Sequence, residues 1–427
     1  MKLISIALLL VLGTAASPGA TTWVVDQGGG GNFVTIQEAI EAAITGDEII
    51  VHPGTYFEQV DFMGKDLWIH SSAGPSATTI DAADLGSCVA FVTGETLDAS
   101  LEGFTLTHGA GTYYEGFTRG GAVFCKGARC TLRECLFTDN EAYNAGGLQV
   151  MEDAGADVFD CTFLGNVCHR YGGAIAASDG FLNLDGCLIE NNFCDYAVGG
   201  VSYAQNCSGE IRNCEFRGNQ SPWVGALNLG QPTSNVSVSN CLFADNRSAG
   251  GAEGGGIRVY GGKLAVAECI FTGNTCGGYG GALAGYDGAT VEVSACTFHR
   301  NGAAEGGNIW FGDFGGSYSL ANTIIANAES GSGVFAYYAE VTCCDAWGNA
   351  GGNYAGMPDP TGANGNISIN PLFCDAAGGD FTIRSDSQCA PEYNPLCGLI
   401  GALDVGCTPP TPTEPVTWGR VKSHFMR

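Results

Sequence analysis

The feature that most constrains this chain is a repeat of about 26 residues. One submotif reads apolar residue, two residues, Cys, one residue, Phe or Ile, two residues, Asn. It occurs at Leu132/Cys135/Phe137/Asn140, Val158/Cys161/Phe163/Asn166 and Leu184/Cys187/Ile189/Asn192. It continues at Ile211/Cys214/Phe216/Asn219, Val238/Cys241/Phe243/Asn246, Val266/Cys269/Phe271/Asn274 and Val293/Cys296/Phe298/Asn301. The Cys-to-Cys steps are 26, 26, 27, 27, 28 and 27 residues. Degenerate copies stand at Leu101/Phe104/Leu106, Leu320/Thr323/Ile325 and Val341/Cys344/Ala346/Asn349. A second submotif is a glycine pair before a short apolar run, as in Gly120-Gly-Ala-Val123, Gly172-Gly-Ala-Ile175, Gly255-Gly-Ile257 and Gly280-Gly-Ala-Leu283.

A period in the twenties built from runs of three to five β-forming residues, punctuated by Gly, Asn and Asp, specifies a β-solenoid. Helical repeats are excluded, because no unit holds a long helical periodicity and a glycine pair would break one. Stacking puts equivalent residues one strand spacing, ~4.8 Å, apart. The fold expected is all-β, a right-handed parallel β-helix. Phe and Ile fill its core, and Cys serves as a small buried apolar residue. Asn is expected to turn the chain in a left-handed conformation and to stack as a hydrogen-bonded amide ladder.

Composition agrees with an exported solenoid. Twenty Cys in 427 residues would be odd in a reducing compartment. Forty-four acidic against 17 basic residues give a net charge of −27, which argues against nucleic acid and against an anionic membrane surface. Residues 1–20 read as a signal peptide: Lys2, an apolar run from Leu3 to Leu12, then small residues. That run is too short to span a bilayer, and no later segment is long enough. The β-helix is assigned to 21–407, with 33–58 as N-terminal cap and first coil, 101–349 as repeat coils and 366–407 as a Cys-rich closing segment. The amphipathic stretch Ile36 to Ile44 is expected to be a helical cap that hides the open end of the solenoid. Residues 408–415 form a Pro/Thr linker, and 416–427 a short basic, aromatic tail. The expected location is extracellular, cell-surface or periplasmic.

The pairing of Gly-Gly-Ala-Ile with Phe-x-x-Asn, from Gly120 to about Asn327, resembles the repeats of chlamydial polymorphic membrane proteins and of many secreted bacterial right-handed β-helix proteins. That resemblance implies a surface-exposed, adhesive role. Phe33 to Ile40 with Gly46 to Glu58 resembles the opening coils of pectin methylesterases and of non-enzymatic β-helix proteins, and Asn366 to Cys407 resembles the closing segment of the same bacterial proteins. The Trp418-Gly-Arg-Val-Lys422 tail resembles short tails on other secreted bacterial repeat proteins. The pectin methylesterase motifs Gln-Asp-Thr-Leu, Asp-Phe-Ile-Phe-Gly and Gly-Arg-Pro-Trp are absent. For polygalacturonases the nearest match is Thr107-His108-Gly109, without an adjacent Asp pair.

Three groups of residues carry candidate chemistry. Asp153 with Asp179, and Asp287 with Asp313, each lie six residues after the second Gly of their pair; stacked carboxylates there could hold Ca²⁺, whereas Asp-Gly is more simply a turn facing water. No other cofactor is implied. The loops between Asn and the glycine pair carry Tyr143, then His169, Arg170 and Tyr171, then Asp195 and Tyr196, then Trp223. Such a stripe suits a sugar face or a protein partner. Cys168 and Cys194 each sit two residues after a repeat Asn, so stacking brings them to disulfide distance. Cys374, Cys389, Cys397 and Cys407 make an even set that suggests two further bridges of open connectivity. The leading reading is a non-catalytic β-helix that binds a glycan or a surface protein. The alternative is a polysaccharide-active enzyme, pectate-lyase-like or a hydrolase, which would need clustered carboxylates with a cation in the groove along the coils.

Overall fold

The computed structural model describes residues 19–251, 253–312 and 315–409. Most of the expected signal peptide, Asp313, most of the linker and the basic tail lie outside the described residues. The chain divides into two compact units, Met1–Cys194 and Asp195–Arg427. Each is a parallel β-solenoid.

In the first unit one sheet stacks the longer strands, Thr22–Val25, Glu48–Val51, Trp68–Ser71, Ser100–Glu102, Arg129–Arg133, Ala154–Phe159 and Gly180–Asp185. A second sheet carries the repeat Phe, and includes Thr105–Thr107, Leu136–Thr138, Thr162–Leu164 and Leu188–Glu190. A third follows the glycine pairs, and includes Val123–Lys126, Leu148–Met151 and Ile175–Ala177. Near-constant spacing of the repeat keeps like residues in register. Leu101, Leu132, Val158 and Leu184 form one inward column; Leu106, Phe137, Phe163 and Ile189 form another. The Phe137 and Phe163 rings stack at 4.2 Å. A short fourth sheet pairs Glu141–Ala142, Val167–Cys168 and Phe193–Cys194.

The expected cap is a helix, Ile36–Ala42, shorter than the amphipathic stretch. The Thr35 hydroxyl accepts from the Glu38 N–H, and the Glu58 carboxylate accepts from the Ile36 and Gln37 N–H groups at 2.9 Å each. Three of the otherwise orphan N-terminal donors are thus satisfied. Ile36, Ala39 and Ile40 are buried.

The second unit repeats the plan. Val238, Val266, Val293, Leu320 and Val341 are in register, as are Phe216, Phe243, Phe271, Phe298, Ile325 and Ala346. Its four Phe rings stack at 4.6, 4.8 and 4.5 Å. The degenerate copies therefore occupy true coil positions. The glycine pairs exist because coil backbones meet there: a Cβ on Gly225 would lie 2.0 Å from the Gly255 carbonyl oxygen.

The asparagine ladder forms in both units. Asn140 donates to Asn166 and Asn166 to Asn192, at 2.9 and 3.0 Å. Asn219, Asn246, Asn274 and Asn301 pass the same bond along at 2.9 Å per step. Asn308, from the glycine-pair loop, continues the ladder to Asn349. The expected left-handed Asn is corrected. The left-handed residue is the one before it, as at Asp139 (φ 56°), Asn191 (53°), Asp245 (56°) and Arg300 (55°). That residue makes the corner, so Asn can point inward and bond the coils on either side.

The closing segment packs on the outer face of the Phe-bearing sheet through Ile383, Cys389, Ala390 and Ile400 against Ile324 and Ala326. Its two disulfides are Cys343–Cys397 and Cys374–Cys407. The expectation that Cys389 shares in these bridges is corrected. Its buried thiol donates to the Asp345 carboxylate at 3.2 Å. Cys343 takes its place because a left-handed φ of 55° turns it outward, while the adjacent Cys344 points into the core. No helix among the described residues is long and apolar enough to cross a membrane.

Candidate functional site

The seven aromatic-stripe residues fall into two groups, one in each unit. In the first, Tyr143 is half-buried and stacks on Phe117 at 4.4 Å. Phe117 belongs to an antiparallel hairpin, Thr112–Tyr114 with Phe117–Arg119, that interrupts the coil. His169 Nε2 lies 2.9 Å from Glu141 Oε1, and the Arg170 guanidinium sits 5.1 Å from the centre of the Tyr171 ring. In the second unit Tyr196 packs on Trp223 at 5.2 Å, with Asp195 exposed beside them.

Trp223 leads to a larger arrangement, on the outer face of the sheet that follows the glycine pairs. Five strands of the second unit matter: Leu227–Leu229, Ile257–Tyr260, Leu283–Tyr286, Ile309–Phe311 and Val334–Ala336. Alternation along each strand points Leu227, Ile257, Leu283, Ile309 and Val334 into the core, all fully buried. The next residues outward, in register, are Asn228, Arg258, Ala284, Trp310 and Phe335. Two residues on from Arg258 and Ala284 stand Tyr260 and Tyr286, also in register.

Arg258 is the centre. Its Nε donates to Glu253 Oε2 at 3.2 Å and its Nη1 to Asn228 Oδ1 at 3.0 Å. Its guanidinium carbon lies 5.0 Å from the Tyr286 ring centre, 5.5 Å from Tyr260 and 5.9 Å from Trp223. The Tyr286 hydroxyl donates to the same Glu253 oxygen at 2.7 Å. Burial pushes the Tyr286 phenol well above its usual range, so it remains a donor. The Tyr260 phenol is raised mainly by its hydrogen bond to Asp287. The Arg258 side chain is only 13% exposed, and Glu253 26%. Charge-assisted bonds and ring contacts together fix the guanidinium plane.

Beside this cluster Tyr279 stacks on Trp310 at 4.7 Å, and Trp310 meets Tyr286 edge-on at 6.2 Å. The Trp310 ring lies over Gly312, where a Cβ would come within 1.6 Å of it. The buried indole N–H has no partner among the described residues. Glu253, Tyr279 and Glu305 are aligned by successive parallel bridges. The result is a platform of flat rings edged by carboxylates, with one immobilised cation in it.

The other candidates resolve differently. Asp153, Asp179 and Asp287 have left-handed φ angles of 60°, 48° and 58°, as turn residues do. Among the described residues no group of three or more His, Cys, Asp or Glu is placed to hold a metal ion. Cys168 and Cys194 are paired in register, buried, with their sulfurs 2.8 Å apart as facing thiols. Burial holds the Cys168 thiol far above its ordinary pKa.

The profile of the right handed beta helix region matches residues 94–250 and 130–288. With the parallel pairing of the coil strands, this makes the architecture a right-handed parallel β-helix. Among solved structures the chain is similar to pectate lyase Pel9A, at 13% identity over 90% of this chain and 96% of that one, with a TM-score of 0.44. A pectin methylesterase from carrot matches at 14% identity over 85% and 95%, with a TM-score of 0.32. The mannuronan C-5 epimerase AlgE6 A-module of Azotobacter vinelandii matches at 15% over 78% and 93%, with a TM-score of 0.35. No curated protein matches the chain.

Sequence reasoning found Trp223 and missed Arg258, Glu253, Tyr260, Tyr279, Tyr286 and Trp310. A signal for two of them existed. Aligning coils on the apolar residue after the glycines, rather than on the glycines, puts Tyr260 and Tyr286 at the same offset from Ile257 and Leu283.

Proposed function

We propose that this protein is an exported, non-catalytic β-helix that binds a glycan on the outer face of the glycine-pair sheet in its second unit. The observation that carries this reading is Arg258, held by Glu253 and Asn228 between the rings of Trp223, Tyr260 and Tyr286, next to the Tyr279–Trp310 stack. Flat rings beside fixed hydrogen-bonding groups suit the C–H face and the hydroxyls of a sugar. Export is supported by the leader-like residues 1–20 and by two disulfides. A glycoside hydrolase at this place would need two carboxylates free to flank the scissile bond. Glu253 is instead engaged with Arg258 and Tyr286.

The test is a glycan array with the purified protein beside a Trp223→Ala/Tyr279→Ala variant. Both residues are substantially exposed, so the fold should survive. Binding that disappears in the variant supports the proposal. Retention unchanged by the substitutions, or robust turnover in reducing-sugar and unsaturated-product assays, overturns it.

A further inference from the structure

Resting on that reading, we infer that the ligand is an uncharged pyranose polymer and not a polyuronate. Recognition of a carboxylate by Arg normally uses the planar fork of its N–H groups. In Arg258 the Nε donor is taken by Glu253, one Nη1 donor by Asn228, and the guanidinium is walled by three rings. The charge balance points the same way. The carboxylates of Glu253, Asp287 and Glu305 outnumber this one guanidinium, within a chain of net charge −27. Lys263, the next cation along the chain, belongs to the neighbouring long-strand sheet. A polyanion would meet repulsion from these carboxylates, while Arg258 itself is already paired with Glu253.

The exposed charged groups at the edge of the platform are acceptors. Glu305 is exposed, and Glu253 is partly so. Acceptors at the edge of an aromatic surface call for a ligand rich in donors, and a neutral sugar offers a hydroxyl on nearly every ring carbon. A cationic ligand suits the site less well, because Arg258 already fills the slot between Trp223, Tyr260 and Tyr286. The open rings, Tyr279 (37% exposed) and Trp223 (42%), are left to stack against uncharged sugar faces.

The experiment is native affinity electrophoresis of the full protein in gels containing a soluble β-glucan, galactomannan or xylan, against gels containing polygalacturonate or alginate, at low and high salt. Retardation by at least one neutral polymer, unchanged by salt, is expected. Tyr279→Ala should weaken it about tenfold, as loss of a stacking aromatic does. Tyr279→Phe, which keeps the ring, should restore it and guards against a folding artefact. Retardation by polyuronates alone, fading with salt, overturns the neutral-ligand inference and leaves glycan binding standing. No retardation in any gel overturns both.

Discussion

Replacing Asp345 by Asn should stabilise the protein above pH 6 and leave its stability nearly unchanged below pH 4. Asp345 lies under the closing segment with no exposed surface. Its carboxylate accepts from the Ile369 N–H at 3.0 Å and from the Cys389 thiol at 3.2 Å. Burial raises its pKa from 3.8 to about 6; these two bonds offset only part of that. A carboxyl whose folded pKa is raised favours the folded state when protonated. That contribution is complete below pH 3.8, and is lost as pH rises through 6. Raising that pKa from 3.8 to about 6 corresponds to about 3 kcal/mol. The neighbours do not confuse the window. The Cys344 thiol is pushed up to about 12, and the Cys389 thiol and the Tyr354 phenol are raised further, so all stay neutral. Exchanging Oδ2 for an amide nitrogen changes the contact with Cys389, but by an amount independent of pH. The assay is urea unfolding of both proteins at half-unit steps from pH 3.5 to 8. The difference in unfolding free energy should climb by about 3 kcal/mol between pH 4 and 7 and then level off. A difference that stays flat across that range refutes the argument.

His299 lies under the same segment, against Phe373 and Phe381, and burial lowers its pKa to about 4. Its sign is opposite to that of Asp345: the stability is present above pH 6.5 and lost as pH falls through 4, so His299→Gln should remove about 3 kcal/mol of acid sensitivity in an unfolding series. Asn246→Ala deletes a fully buried ladder member, removing the acceptor of the Asn219 backbone and side-chain N–H bonds and the donor to the Phe216 carbonyl; a loss of about 3–6 kcal/mol is expected, read as a lower urea midpoint. Cys343→Ser should cost about 4 kcal/mol, given the 54-residue separation, and should free Cys397 for alkylation. Cys168 and Cys194 should appear as a linked peptide pair when the exported protein is digested without reductant; two alkylated thiols would show that they remain reduced.

What could be read from the sequence was whatever each coil restates. Phe216, Phe243, Phe271 and Phe298 announce one core column four times, and the structure stacks them. The ladder was legible for the same reason. Errors arose where one residue stood for two demands. Cys344 fitted the repeat, so its neighbour Cys343 was overlooked as the true partner of Cys397. The asparagine was credited with a corner that the preceding residue makes. Asn308 escaped notice because it enters the ladder from a different loop.

The candidate site was hidden for a deeper reason. Inward positions of the glycine-pair strands must all solve the same problem, so they read Leu, Ile, Leu, Ile, Val from Leu227 to Val334. Outward positions face no common demand, and in the same five coils they read Asn228, Arg258, Ala284, Trp310 and Phe335. No periodicity marks such a set. Its coherence appears only when register brings the five side chains side by side. Ala284 makes the point: it is fully buried on a face that points away from the core. The Tyr286 ring, two residues along the same strand, meets Arg258 in the coil before and Trp310 in the coil after. A large residue at 284 would compete with that ring for the space between them. The smallness of one outward residue thus belongs to the site as much as the size of its neighbours, and in a solenoid function is best sought where successive coils stop agreeing.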